Sequence, residues 1–280
     1  MLQALMNWTW AHGMRVAIGG ALAVCLVGCA TLQARADRDW YPYLAPTSHV
    51  ELEGDRFGVS PVSDWTYNAQ GPITEAYNEA AFAISEVRNV YFVLEPQPGS
   101  RLAAHTLLLF EFPGDRLLGL TIEARREREE DYSALRGIFN AYELSFLWAE
   151  ARDLLTRRAV MLDHEVFVYP VAINDAQKQT LLRNLLARTD ALEQRPRFYN
   201  TLFSNCTNEL AKAAGFRWAP AFILTGTSDE YLFRRGIIPG ESFEQAHERS
   251  DLTAFIQAHN GLTAREFDAA LLAELRRRNG

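Results

Sequence analysis

The sequence predicts an α+β fold, an antiparallel sheet packed against helices, and three features carry that prediction. The first is a central hairpin: His105 to Phe112, a turn at Pro113-Gly114-Asp115-Arg116, and Leu117 to Ala124. Its arms are nearly continuous apolar runs, the pattern of strands covered on both faces and hence near the middle of a domain. The second is Tyr142, Leu144, Phe146 and Trp148 alternating with Glu143 and Ser145, which reads as a half-buried strand. The third is an amphipathic helix over residues 175–190, opened by Asn174 or Asp175 and carrying Leu181, Leu182, Leu185 and Leu186 on one side.

The chain opens on an export segment. Met14 and Arg15 precede an apolar run from Val16 to Val27 that ends at Gly28-Cys29. A positive charge, a short apolar core and small residues before a cleavage point describe a secretory signal, and the core is too short to span a bilayer. Leu26-Val27-Gly28-Cys29 also resembles a lipobox, the sequence on which bacterial lipoproteins are cleaved and lipidated at the cysteine. Residues 1–28 are therefore expected to be removed and Cys29 to become a lipidated first residue. Residues 1–13 carry no Lys or Arg, so Met14 is a second candidate start. Ala30 is not the Asp that resemblance to inner-membrane lipoproteins requires, which favours the outer membrane, facing the periplasm.

Residues 29–62 hold the lipidated cysteine and a polar, aromatic stretch punctuated by Pro42, Pro46 and Pro61, read as a tether. A domain over residues 63–215 follows. It begins with a helix from Ile73 to about Arg88, on composition and the spacing of Ala76, Ala80, Phe82 and Ala83, and a strand from Asn89 to Leu94 that Pro96-Gln97-Pro98-Gly99 stops. The run from Arg125 to Glu130 is a solvated element end. Glu165 to Val171 is a further strand, and a short helix after Cys206 reaches about Ala214 and stops at Gly215, a typical C-terminal cap. Residues 216–280, Gly- and Pro-rich as far as Gly240 and ending in a helix from Thr263 to Arg278, read as a helical extension of the same domain.

Removing residues 1–28 from 280 leaves 252, enough for one large domain or two small ones. A net charge of −7 argues against a nucleic-acid partner, which calls for a basic stripe. Neither a Gly-rich phosphate loop nor paired Cys or His at zinc spacing is present, so no metal and no cofactor is expected. The only two lysines, Lys178 and Lys212, give Schiff-base chemistry little to work with. The oligomeric state is not legible.

With Cys25 and Cys29 in the export segment, Cys206 is left without a disulfide partner in an exported protein. Ser204 or Asn205 caps its helix, placing the sulfur in a first turn whose unpaired N–H groups and positive dipole end favour a thiolate. A nucleophile needs a base. His49 lies in the tether, His247 and His259 in the polar C-terminal segment, and His164 in a polar turn before a strand. His105 opens the central hairpin, where a side chain is both held and open to a cleft. A buried, inert thiol is the competing account, because free cysteine also serves as a small hydrophobe.

Four segments carry a resemblance: Ala104 to Phe112, Leu120 to Glu127, Tyr142-Glu143-Leu144 with Ala151 to Leu155, and Phe198 to Thr207 with its Asn205-Cys206-Thr207. Together they resemble the Lnb-type periplasmic domain family, which is similar to circularly permuted papain-like proteins of the NlpC and lecithin:retinol acyltransferase kind. The resemblance implies a permuted papain-like sheet with a strand histidine, His105, preceding a helix-borne nucleophile, Cys206. It also implies acyl transfer through a thioester, with a third polar group orienting the imidazole. Glu123 on the second hairpin arm is the candidate, with Glu111 and Arg125 as alternatives. Asn205, Tyr199 and Arg125 are the candidate substrate-binding residues. The function expected is a membrane-anchored thiol acyltransferase acting on a phospholipid or lipoprotein. The alternatives are a cell-wall amidase or peptidase using the same dyad, and a non-catalytic envelope lipoprotein.

Overall fold

Strands whose two faces are both apolar belong in the middle of a covered sheet, and the central hairpin takes that place. The computed structural model describes residues 33–279, so the export segment and Cys29 lie outside the described residues. The described strands, in chain order, are β1 (His49–Glu53), β2 (Arg56–Ser63), β3 (Thr66–Asn68), β4 (Gly71–Thr74) and β5 (Tyr77–Ala83), then β6 (Asn89–Pro96), β7 (Ala104–Phe112), β8 (Arg116–Arg125), β9 (Glu143–Glu150) and β10 (Phe167–Pro170). Eight of them form one sheet in the order β1-β2-β9-β8-β7-β6-β10, with β5 also paired to β2; β3 and β4 form a separate ribbon. All pairings are antiparallel except the single parallel contact of Ser63 with Ala149. Residues from Asp37 onward make one compact unit.

Helices cover both faces. The described α-helices are α1 (Ala134–Ile138), α2 (Ala151–Thr156), α3 (Asp175–Gln194), α4 (Cys206–Ala213), α5 (Ser228–Arg234), α6 (Phe243–Ser250), α7 (Thr253–Ala258) and α8 (Ala264–Asn279). On one face Leu182 and Leu186 of α3 and Leu210 of α4 join a core with Leu108, Phe110, Leu120 and Ile122. On the other, Leu154 of α2, Ile256 of α7 and Leu271 of α8 pack with Leu107, Leu109 and Leu117. The alternation of β7 and β8 residues between these two cores is the period-2 pattern of a sheet buried on both sides. Helices α7 and α8 therefore form part of the second layer, while Ala246 of α6 joins the first.

Several expectations change. Residues 30–62 are not a tether throughout: β1 and β2 fall within them, and the turn Pro42–Leu44 buries Tyr43 and Leu44 in the second core. Val50, Phe57, Val59 and Val62 are buried as well; of the prolines that disguised them, Pro42 opens a turn and Pro61 sits where the β2–β5 register shifts between Val59 and Val62. The segment 73–88 is not a helix but β4, β5 and a short 3-10 turn. Its alanines favour helix, yet pairing with β2 buries Ala80 and stacks Phe82 on Phe112 at 4.1 Å, so tertiary contacts override propensity. Strand β9 is buried throughout rather than on one face only. Helix α3 runs four residues past its expected end and is opened by Asn174, whose side chain accepts from Gln177 N–H.

Helix α2 begins where buried Asp153 accepts from Ser63 Oγ at 2.6 Å, Trp65 N–H at 2.8 Å and Tyr67 OH at 2.8 Å. It continues as a π-helical turn, Arg157–Met161. Such turns carry an extra residue per turn and recur at functional sites. Where α2 crosses the sheet it leaves no room at Gly119: an added Cβ would lie 2.3 Å from Leu154 Cδ1 and 3.2 Å from the Ala149 carbonyl. Gly119→Ala should therefore destabilise the fold by about 1–3 kcal/mol through overpacking, measured as a lowered denaturation midpoint with an unchanged slope.

Candidate active site

The two strands of the hairpin part before they end. The β7–β8 ladder stops at Leu107–Thr121, while β7 stays paired to β6 as far as Ala104 and β8 stays paired to β9 as far as Arg125. His105 and Glu123 sit just beyond the last shared pair. Both, like Thr121, occupy alternate positions with residues of the first core, so they face the side on which the π-turn brings in Arg158. Helix α4 reaches the same parting from the other face.

Asn205 opens α4. Its Oδ1 accepts from Asn208 N–H at 2.7 Å, and its Nδ2 donates to the carbonyls of Thr201 at 2.8 Å and Phe222 at 2.7 Å. One side chain thus caps the helix and ties together the loops on either side. Buried Glu209 completes the support: it accepts from Ser204 Oγ at 2.8 Å and from Lys212 Nζ at 2.7 Å, with Arg188 and Arg197 at 3.2 and 3.3 Å. Lys212 also donates to the Phe203 carbonyl, and Lys178 to the Arg88 carbonyl and to Asp175. At the head of this braced helix lies Cys206, buried and unpaired. Gly215, with φ of 76°, stops the chain in the left-handed region after Ala214.

His105 Nε2 lies 2.6 Å from Thr121 Oγ1 and 3.2 Å from Glu123 Oε1, and Thr121 Oγ1 donates to the same carboxylate oxygen at 2.7 Å. Arg158 Nη2 is 3.2 Å from Glu123 Oε1, and Arg158 Nε is 2.8 Å from Glu95 Oε2. Glu95 is in turn 2.6 Å from His164 Nδ1. A chain of groups thus runs from His105 through Glu123, Arg158 and Glu95 to His164. With Cys206 they line one cavity of about 340 Å³, to which Tyr132, Tyr199, Arg126 and Arg157 also contribute.

Burial alone would raise the thiol's pKa. The charge of His105, with hydrogen bonding from that imidazole and from Thr106, outweighs burial and lowers Cys206 from 9.0 to about 7. Burial would lower His105, but the Glu123 carboxylate and the Cys206 thiolate reverse this and raise it to about 10. For Glu123 burial is opposed chiefly by His105 and then by Arg158, and its carboxyl is held below the usual range. Glu95 is lowered too, because Arg158 and His164 more than offset its burial. Near neutrality a substantial share of the thiol is therefore ionised, with an imidazolium facing it and a carboxylate behind.

The structure brings Cys206, His105, Glu123, Asn205 and Tyr199 to this cavity. It does not bring Arg125 or Glu111. Arg125 is buried, donates to the carbonyls of Leu44 and Ala45, and lies 4.4 Å over the Trp40 ring, so it locks the N-terminal turn to β8. The start of the charged run is correspondingly packed, Arg128 and Glu129 further along it are exposed, and Arg126 is the residue that lines the cavity. Glu111 sits at the far end of β7, where it accepts from Tyr91 OH and Arg276. Sequence reasoning missed Thr121, Arg158, Glu95 and the place of His164. One signal was available: Glu95 closes an apolar strand directly before a turn, and an acid in such a run needs a buried partner.

A sheet between two helical layers, carrying a buried thiol, an imidazole and a carboxylate in one cavity, defines a mixed α/β protein with a cysteine–histidine–carboxylate cluster. Residues 74–235 match the family of Lnb N-terminal periplasmic domains, and the chain belongs to that family. The match covers more than half of the chain and contains His105, Glu123, Arg158 and Cys206. It places the protein in the periplasm of a bacterial envelope. No curated protein and no solved structure matches the chain. Among the described residues no helix is long and apolar enough to cross a membrane.

Because the thiolate is the reactive form, alkylation of Cys206 by iodoacetamide should titrate with a midpoint near pH 7. One unit below that midpoint the rate should fall to about a tenth of its plateau. His105→Ala removes the main opposing charge and should move the midpoint upward by at least about one unit, read from the pH profile of the alkylation rate.

Proposed function

We propose that this protein is a periplasmic thiol acyltransferase, held at the outer membrane by a lipid on Cys29. In this account Cys206 takes a fatty acyl group from a phospholipid and passes it to an amine, such as that of a lipoprotein's N-terminal cysteine. The observation that carries it is the cluster itself: a thiol lowered to about 7 and an imidazole raised by a partly buried carboxylate, all lining one cavity. The order of the parts, a strand histidine before a helix-borne cysteine, is that of a circularly permuted papain-like fold. The close contacts of His105 with Thr121 and Glu123 use Nε2, which leaves Nδ1 to meet the thiol.

The Cys206 thiolate attacks the ester carbonyl, and the charge moves to the carbonyl oxygen. Asn208 N–H is taken by the Asn205 cap and Glu209 N–H by the Asn205 carbonyl, so the N–H groups of Cys206 and Thr207 are the first-turn donors left to receive it. As the tetrahedral species collapses, the ester C–O bond breaks and the departing alkoxide takes the proton from the His105 imidazolium. That leaves an acyl thioester on Cys206 and a free alcohol. An amine then attacks the thioester, neutral His105 takes its proton, and the thiolate leaves with the amide formed. Glu123 holds the imidazole in the productive orientation throughout, with Thr121 and Arg158 fixing the carboxylate in place. Arg126 and Arg157 line the cavity and suit the phosphate of a lipid headgroup.

Incubating the full protein with phospholipid vesicles should produce a fatty-acyl adduct on the Cys206 peptide, seen by mass spectrometry and released by neutral hydroxylamine. Cys206→Ser should abolish transfer to an added amine acceptor while leaving the melting temperature nearly unchanged. Transfer that survives the substitution would rule out thiol catalysis, and release of free fatty acid with no amide product would mark a hydrolase.

The anchor is tested separately. Wild-type protein should partition with membranes and begin at a lipidated Cys29, and Cys29→Ser should release or misroute it. Recovery of soluble wild-type protein with a free N-terminus would overturn the lipid anchor.

A further inference from the structure

A second cavity, of about 370 Å³, runs along the flank of α4 between that helix, α3 and the sheet. Thr207, Leu210, Ala211 and Ala214 line it at helical spacing, so it follows one stripe of α4 over its whole length, about 10 Å. Leu108 forms part of its floor and Phe222 part of its wall. None of its lining residues carries a charge, whereas the cavity at Cys206 is lined by His105, Glu123 and Arg158 among other ionisable groups.

The two cavities share no lining residue but approach each other at adjacent residues of α4, Cys206 lining the charged one and Thr207 the uncharged one. Thr207 lines the uncharged channel, and its Oγ1 lies 3.8 Å from Cys206 Sγ and 2.9 Å from Thr106 Oγ1. The channel's inner end is therefore one residue from the nucleophile, while its outer end lies where α4 terminates at Ala214, an exposed residue. Its polar lining is limited to Asn174, Gln177, Thr180, Thr207 and Ser228 among mostly apolar side chains, so a peptide entering it would leave many of its backbone N–H and C=O groups unpaired, at a cost of about 1–3 kcal/mol each. A hydrocarbon brings none. We infer that this channel receives the acyl chain carried on Cys206, with the ester or thioester carbonyl at Thr207 and the methyl end toward Ala214. The inference rests on the acyl-transfer account above and adds to it a chain-length preference set by the channel rather than by the charged cavity.

The test uses the full chain and two substitutions, Ala211→Trp within the channel and Ala214→Trp at its exposed mouth. The second changes a surface residue, so it reads out even if the first fails to fold. Titration with the fluorescent fatty acid cis-parinaric acid should show saturable binding to the wild type, weakened about tenfold or more by each tryptophan. In parallel, the ratio of decanoyl to butanoyl adduct on Cys206, formed from the p-nitrophenyl esters, should fall about tenfold or more in Ala214→Trp. Absence of saturable binding, or binding and adduct ratio both unmoved by the mouth substitution, would overturn the channel while leaving acyl transfer standing. Saturable binding that Ala214→Trp weakens, with no adduct on Cys206 from any ester, would overturn acyl transfer and keep the channel as a hydrocarbon site.

Discussion

The buried guanidinium of Arg158 is the constraint on which the site depends. Glu95 on β6 and Glu123 on β8 flank β7 from either side, and burial works against the charged form of each. Arg158 pairs with both, so two carboxylates stay ionised and each keeps a histidine beside it. Removing one member of such a buried set costs about 3–5 kcal/mol, because the remaining charges lose their compensation. The position of Arg158 is fixed in turn by the π-helical turn at the end of α2 and by Asp153 at its start. Ser63 of β2 and Trp65 and Tyr67 beside it thereby brace the short helix that leads to Arg158.

The parting of β7 and β8 serves the same end. A closed ladder would bury His105 and Glu123 against a neighbouring backbone and keep α4 to one side of the sheet. Because the ladder ends at Leu107–Thr121, the head of α4 approaches from one layer while the histidine and its carboxylate approach from the other. The site is thus assembled from both layers, and neither layer alone contains it.

How much of this was legible depended on whether the deciding contacts were local. The central hairpin, the Asn174 cap and the Cys206 helix were legible because apolar runs and caps write their own signal over a few residues. Cys206, His105 and Glu123 followed from the same segments together with the family resemblance, and the structure brings them to one cavity. The N-terminal strands were not legible. Their buried positions are spaced by Pro61 and polar residues, and their order comes from pairing across the chain, as when Phe57 faces Phe82. Arg125 was misread because a cation in a charged run looks solvated until the Leu44 and Ala45 carbonyls are brought to it. Arg158 carried no local mark at all. Its partners lie in β6 and β8, and only the fold makes them neighbours.

The scarcity of lysine takes on another meaning once a reactive acyl group is placed on Cys206. A thioester is a hazard to its own bearer, since any idle amine nearby can intercept it and become permanently capped. This chain offers two lysines, and neither lines the charged cavity or the uncharged channel. Both are occupied, Lys212 by Glu209 and the Phe203 carbonyl and Lys178 by Asp175 and the Arg88 carbonyl. The cations that do face the charged cavity are arginines, whose guanidinium stays protonated and does not act as a nucleophile. Under the proposed acyl transfer, a scaffold built this way would be shielded from self-modification, and an activated acyl group would survive until a foreign amine arrives.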